Sequence, residues 1–353
     1  MRPVGLTAEA SGVKPQIVGE YELGALVGTG TVGSAYRARH VDTGQPAVVK
    51  FLQDEVAKQP EVQRRFVREI SVAEKLNHPN IVRHYDAGLH EDRIYFAMEL
   101  VDSGTLKDVL RQRGILSWRE AVEVAIQICA ALEYAHKVRI IHRDLKPGNL
   151  FLSSEGHVKV GDFGLARDLD NYRLTLEGQT VGTVRYMPPE QISGDADLTG
   201  AVDLYALGCI LFEMLVGRPP FDGDSIIDIF EAHLYTEPTP PASLVRDCPE
   251  DLSELVLLLL SKDAATRPAS AKEIRSALLD ILNNRPTQLS EHYRGQDDDD
   301  SARSTDLAEP SLAGCLRALR PAAQARFISN RMMLAGGVIT AAILFAIAIS
   351  LLG

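Results

Sequence analysis

Three observations in the 353-residue sequence predict an α+β protein of two lobes, a small β-rich lobe followed by a larger α-helical one, with one C-terminal transmembrane helix. Short apolar runs of strand length crowd residues 21–99. Helix-period stripes with capping signals occupy the stretch after 105. The third is 332–352, MMLAGGVITAAILFAIAISLL, which carries no charge over 21 residues.

Residues 1–20 lack the apolar core of a secretory signal and read as a leader. The runs at 21–27, 35–39, 47–51, 82–87 and 94–99 are the expected strands. One helix interrupts them, because Val62, Phe66, Ile70 and Ala73 share a face at helical spacing. Between the first two strands VGTGTVGSAY places Gly28, Gly30 and Gly33 as G-x-G-x-x-G. A dinucleotide-binding turn would need a helix there and an acidic residue about 20 positions on. Instead SAYRAR alternates with a strand period, and the next marker is a cation, Lys50, closing Ala47-Val48-Val49-Lys50. The join between lobes is expected at 99–104, giving a front lobe of 21–98 and a rear lobe of 105–282.

In the rear lobe Ser117 and Glu120 form a capping-box start, and Val122, Ala125, Ile128, Leu132 and Ala135 make the buried stripe behind it. LYALGCILFEMLV, 204–216, is apolar nearly all round and stops at Gly217, the pattern of a central buried helix. From 283 to 331 the chain turns rich in Ser, Asp, Arg, Pro and Ala and loses periodicity, so it is expected to be a flexible tether. As a helix, 332–352 would be ~31 Å long, matching a bilayer core. Arg317, Arg320, Arg326 and Arg331 precede it, which by the positive-inside bias keeps the preceding chain cytoplasmic and makes the protein single-pass and tail-anchored in the lipid bilayer. Gly337 with Ala341, and Ala342 with Ala346, fit a small-xxx-small spacing that would support a homodimer, although such matches come nearly free in an Ala-rich span.

Composition narrows the function classes. The net charge of −11 implies no nucleic-acid partner, since no large basic surface is available to release phosphate counterions. The four cysteines, Cys129, Cys209, Cys248 and Cys315, are far apart and suggest reduced thiols in the cytosol rather than a disulfide framework or zinc site.

Six motifs then occur in order: GTGTVG, Lys50, HRDLKPGN beginning at His142, Asp162-Phe163-Gly164, GTVRYMPPE, and Asp203 with Gly208. Over residues 21–282 the chain resembles the eukaryotic-type Ser/Thr protein kinase family, including its bacterial membrane-anchored members. The resemblance implies the bilobal kinase fold and transfer of the ATP γ-phosphate to protein Ser/Thr hydroxyls. Such transfer asks the protein mainly for placement and charge neutralisation. Lys50 would hold the α and β phosphates and be held in turn by Glu69, with Glu74 and Glu61 solvated. Asp162 and Asn149 would supply oxygens to Mg²⁺, or to Mn²⁺ in its place. Asp144 would accept the substrate's hydroxyl proton and Lys146 would reach the γ-phosphate. Lys146 in HRDLKPGN, and Thr183 lining the acceptor site, point to Ser/Thr rather than Tyr. Glu190 should pair with Arg267 as a structural ion pair, with Asp203 as a further structural residue.

The adenine would lie under Ala35 and Val48 and over Phe151, read by the backbone of Glu99 and Val101 behind the gatekeeper Met98. The family usually carries Val where this chain has Ala35 and Ala where it has Val48, a compensated exchange of methyl groups. Arg143 beside Asp144 makes loop phosphorylation plausible, at Thr175 or, second, at Thr180. Gly148 removes an acidic anchor for basic substrates. The alternative is a catalytically silent pseudokinase scaffold at the membrane, against which the intact set Lys50, Glu69, Asp144, Lys146, Asn149 and Asp162 argues.

Overall fold

The computed structural model describes residues 16–30, 33–52, 76–163, 184–285 and Thr287. They fall into two units, one comprising 83–100 with the residues up to 75, the other 76–82 and everything from 101 onward.

The first unit is a six-stranded antiparallel sheet of β1 (Ile17–Val18), β2 (Tyr21–Gly30), β3 (Gly33–His40), β4 (Pro46–Leu52), β5 (His84–His90) and β6 (Arg93–Glu99), in the order β1-β2-β3-β4-β6-β5. The predicted runs all fall wholly or partly on these strands. β1, which the sequence reading leaves in the leader, pairs Ile17 with Glu22 and Val18 with Tyr21. Period-2 alternation sends Ala47, Val49 and Phe51 to one face, where they bury against Val18, Tyr21, Ala38, Tyr95 and Ala97. Val48 and Lys50 therefore lie on the other face, level with Met98 and Phe96 of β6. At the β2–β3 end Gly30 pairs with Gly33, and a Cβ on Gly33 would collide with the Phe51 carbonyl oxygen.

The second unit holds α1 (Leu106–Arg113), α2 (Trp118–Lys137), β7 (Leu150–Leu152), β8 (Val158–Val160), α3 (Pro189–Ile192), α4 (Ala201–Val216), α5 (Ile226–Tyr235), α6 (Pro241–Leu244), α7 (Glu250–Leu259) and α8 (Ala271–Leu282). The capping box at Ser117 and Glu120 is present, and the stripe from Val122 to Ala135 is fully buried. Helix α4 is buried almost throughout and ends at Gly217, whose φ of 85° closes it in a left-handed cap. Residues 76–82 belong here because Ile81 bridges Val160 and Asn80 donates to Gln127 Oε1 (3.0 Å) and to the Val158 carbonyl (2.9 Å).

No helix among the described residues is long and apolar enough to cross a membrane. The expected helix at 62–73, the span at 332–352 and all of the tether but 283–285 and Thr287 lie outside the described residues.

Candidate active site

The hairpin β7–β8 positions the central residues of the second unit. Leu150 faces Val160, and the Gly161 N–H donates to the Asn149 carbonyl (2.9 Å), so Asn149 and Asp162 emerge side by side at one end of the hairpin. His142, fully buried, locks the preceding loop to this end. Its Nε2 lies 2.9 Å from the Gly161 carbonyl and its Nδ1 accepts from the Asp144 N–H (3.2 Å). A carbonyl can only accept and an N–H only donate, so the proton sits on Nε2. Phe163 packs on this imidazole, with ring centroids 4.7 Å apart.

Asp203, 1% exposed in the first turn of α4, holds the loop from the other side. Its Oδ2 accepts from the His142 N–H (2.9 Å) and its Oδ1 from the Arg143 N–H (2.8 Å). His136 Nε2, in the last turn of α2, adds a third contact at 2.8 Å. These bonds carry Arg143 at φ 64° and leave Asp144 facing Lys146 and Asn149. Lys146 Nζ lies 2.9 Å from Asp144 Oδ2, and Asn149 Nδ2 donates to the Asp144 carbonyl (2.8 Å) and to Oδ2 (3.2 Å).

This arrangement tests the fit of a metal. With both acceptors satisfied by Nδ2, Asn149 keeps Oδ1 as an oxygen donor, and Asp162, at φ 56°, supplies a carboxylate from the adjacent strand end. Two hard oxygen donors suit Mg²⁺, which takes its remaining ligands from water and phosphate. Among the described residues no cluster of three or more His, Cys, Asp or Glu could hold a metal unaided.

The segment leading into α3 borders the same loop, since Arg143, Asp144 and Leu145 line a small cavity together with Tyr186, Met187 and Pro188. Tyr186 donates to Glu213 Oε2 (2.6 Å), and burial raises the Glu213 carboxyl above its usual range. Arg185 pairs with Asp222 at 2.8 Å. Glu190 meets Arg267 in two bonds of 2.7 and 2.9 Å, and the Arg267 side chain is 0% exposed.

In the first unit Lys50 stands opposite Ala35 and Phe96, and Val48 opposite Arg37 and Met98. Directly paired residues share a face, so Ala35, Val48, Lys50 and Met98 lie on one side of the sheet. Gly28 pairs with Ala35, and the described residues on either side, 21–30 and 33–40, are strands where a dinucleotide turn would lead into a helix. Glu99 ends β6 with its N–H donating to the Arg83 carbonyl (2.8 Å). Phe151 sits in β7, and at Val101 the chain re-enters the second unit. Glu69, Thr175, Thr180 and Thr183 lie outside the described residues.

The sequence reading missed His136, Gln191 and His233. Gln191 Nε2 donates to the Arg143 carbonyl (3.4 Å), and His233 bonds Tyr205. Their roles depend on partners 28 to 67 positions away, for which local spacing carries no signal.

Residues 21–278 match the protein kinase domain family. The chain is 37% identical over 279 residues to the serine/threonine-protein kinase PknB of Mycobacterium leprae, covering 78% of this chain and 45% of that protein. It is 38% identical over 277 residues to a probable serine/threonine-protein kinase PknB of Bifidobacterium longum, covering 75% and 40%. The chain thus spans less than half the length of these curated relatives. The crystal structure of the Mycobacterium tuberculosis PknI kinase domain is similar with a TM-score of 0.60 at 26% identity, over 78% of this chain and 100% of that one.

Proposed function

The chain belongs to the eukaryotic-type protein kinase family, and we propose that it is a membrane-tethered serine/threonine kinase that transfers the γ-phosphate of Mg-ATP to protein hydroxyls. The observation that carries this reading is the loop held by Asp203 and His142, which presents Asp144, Lys146 and Asn149 together beside Asp162.

Asp144 accepts the proton of the attacking hydroxyl, and the Lys146 ammonium beside it meets the negative charge of the transferring phosphoryl group. Asn149 orients Asp144 through its amide nitrogen while offering its oxygen toward a metal. Asn149 and Asp162 would hold a Mg²⁺ ion, which would supply charge neutralisation for the phosphate groups. Lys50, at its place on β4, is the cation for the α and β phosphates.

Membrane tethering rests on the uncharged stretch 332–352 with arginines before it. Autophosphorylation within 167–183 rests on Arg143 beside the catalytic residue and on Thr175 and Thr180 in that segment.

The test is transfer from labelled Mg-ATP by the full chain beside its Asp144→Asn variant, with mass spectrometry of 167–183. Label on Thr175 or Thr180 that vanishes in the variant is the expected result. Absence of transfer from the unaltered chain, to itself or to casein, would leave a silent scaffold as the reading.

A further inference from the structure

The turn between α1 and α2 and the end of α4 together build one surface of the second unit. Ser117 and Glu120 cap α2 reciprocally, which fixes Trp118 as the first residue of that helix. Leu116, just before the cap, is buried, and its N–H donates to the Met214 carbonyl (2.8 Å), tying the turn to the last part of α4. Ile115 beside it is 51% exposed and borders Gly217, where a Cβ would stand 3.0 Å from the isoleucine Cγ2. Arg218 follows at once and is exposed. On the other flank the Arg119 guanidinium lies 4.4 Å over the half-buried Trp118 ring. One surface thus carries an aliphatic side chain, an indole and two arginines.

Its charge runs against that of the chain, which is −11. Neither 109–119 nor 214–221 contains an acidic residue. Arg111 and Arg113 are taken by Asp108 and by buried Glu120, each at 2.8 Å, and Asp222, the first acid after Arg218, is taken by Arg185. Among the described residues Arg119 and Arg218 form no ion pair, Arg119 not even with Glu123 one turn along α2. These two therefore carry the net positive charge of the surface.

An indole with an arginine laid on it, an exposed isoleucine and cations without a countercharge are side chains suited to the boundary between water and lipid headgroups. The far end of the chain brings such a boundary close. About 50 residues separate Leu282 from the uncharged stretch 332–352, and at up to ~3.3 Å a residue that length lets any face of the second unit reach the bilayer in which the stretch would sit. We propose that Ile115, Trp118, Arg119 and Arg218 seat the second unit on an anionic phospholipid bilayer, the arginines on headgroup phosphates and the isoleucine and indole in the interfacial layer. This rests on the membrane-tethered reading above, which supplies the bilayer but not the face that meets it. Tethering makes the contact intramolecular, so four side chains suffice where a free protein would need a larger patch.

Trp118 is the sole tryptophan of the chain, so tryptophan emission reports this surface alone. The experiment reconstitutes the full chain in phosphatidylcholine vesicles with or without phosphatidylglycerol, carrying plain or brominated acyl chains, and reads emission beside vesicle flotation. Expected are a blue shift and quenching by brominated lipid in the phosphatidylglycerol vesicles, both reversed by salt while the chain still floats with the lipid. Arg119→Gln and Arg218→Gln should each lower the ratio of seated to free patch, read from the quenching, about 5-fold, the worth of one arginine at an anionic surface. Ile115→Ser should also reduce quenching, with the unfolding temperature unchanged. Equal emission in plain and brominated phosphatidylglycerol vesicles, from a chain that floats with them, overturns the proposal and leaves tethering standing. So does quenching that is as strong on phosphatidylcholine alone or that survives in the double arginine variant. Emission indifferent to bromine but shifting with the protein-to-lipid ratio would assign the surface to a second copy of the chain and overturn it too. A chain that floats with neither kind of vesicle defeats the tethered reading, and this proposal with it.

Discussion

Replacing Glu190 by Gln is a sharp test of how the second unit is held together. Arg267 is 0% exposed at its side chain and Glu190 13%, and the two share bonds of 2.7 and 2.9 Å. The guanidinium also donates to the carbonyls of Ser261 (2.9 Å), Ala201 (3.0 Å) and Lys262 (3.3 Å), so with the amide oxygen four of its five hydrogens stay engaged after the change. What is lost is the countercharge and one acceptor. Breaking a buried pair by removing one partner costs about 3–5 kcal/mol. The retained amide oxygen and the three carbonyls place Glu190→Gln at the lower end, about 3 kcal/mol. For a folded body of this size that lowers Tm by about 6–12 °C. Thermal unfolding followed by circular dichroism reads it directly. Arg267→Met removes the other charge, and the double variant should be no less stable than the worse single one, because no unpaired charge then remains buried. A drop below about 2 °C for Glu190→Gln, or simple addition of the two single costs in the double variant, would refute the claim that a desolvated countercharge holds α3 to the loop before α8.

Further outcomes are expected elsewhere. Ala35 lies diagonal to Val48 on one face of the sheet, so Ala35→Val should weaken ATP binding by ~1–3 kcal/mol and Val48→Ala in the same chain should restore it; nucleotide titration of the single and double variants decides this. Asp203→Asn puts an amide group where two backbone N–H donors converge, and it should cost about 1–3 kcal/mol of stability together with most of the transfer activity, read by urea unfolding and label transfer. Burial pushes the His233 imidazole down to about 3, with the Lys262 charge adding to the effect. Below pH 6.5 the unfolded chain takes a proton that the folded one refuses, so stability falls as pH drops from about 6.5 towards 3, by roughly 2 kcal/mol at pH 5. The groups facing the ring are Tyr205, Lys262 and the backbone of Arg185, none of which titrates between pH 5 and 7. His233→Leu should flatten that part of the curve, and parallel urea-stability profiles at pH 5 and 7 for the two proteins would sink the assignment.

The residues of the candidate site were legible in the sequence because the proposed phosphoryl transfer asks for particular atoms at close range along the chain. Asp144, Lys146 and Asn149 span six positions, and one turn of irregular chain brings them together. The strand at 47–51 was likewise legible, and its alternation sends Val49 and Lys50 to opposite faces. Boundaries were less legible. β1 is only two residues long and exists because β2 offers an edge, and 76–82 read as front-lobe sequence although their hydrogen bonds go to Gln127, Val158 and Val160.

What stayed hidden shares one physical character. Asp203 was singled out as structural, yet nothing local shows that its carboxylate satisfies the His142 and Arg143 N–H groups 60 and 61 positions earlier, or that His136 supplies the third contact. A buried carboxylate must find donors, and buried backbone donors must find an acceptor. That requirement fixes how many partners each needs without saying which, because many loop N–H groups would serve equally well. The residues proposed as catalytic are specified by chemistry and can be read one motif at a time. The residues that hold their loop, Asp203 and His136, are specified by satisfaction of buried polar atoms, a property of pairs distant in the chain. Variants of these holding residues should therefore cost folding stability wherever they cost activity, whereas variants of Asp144 should cost activity alone.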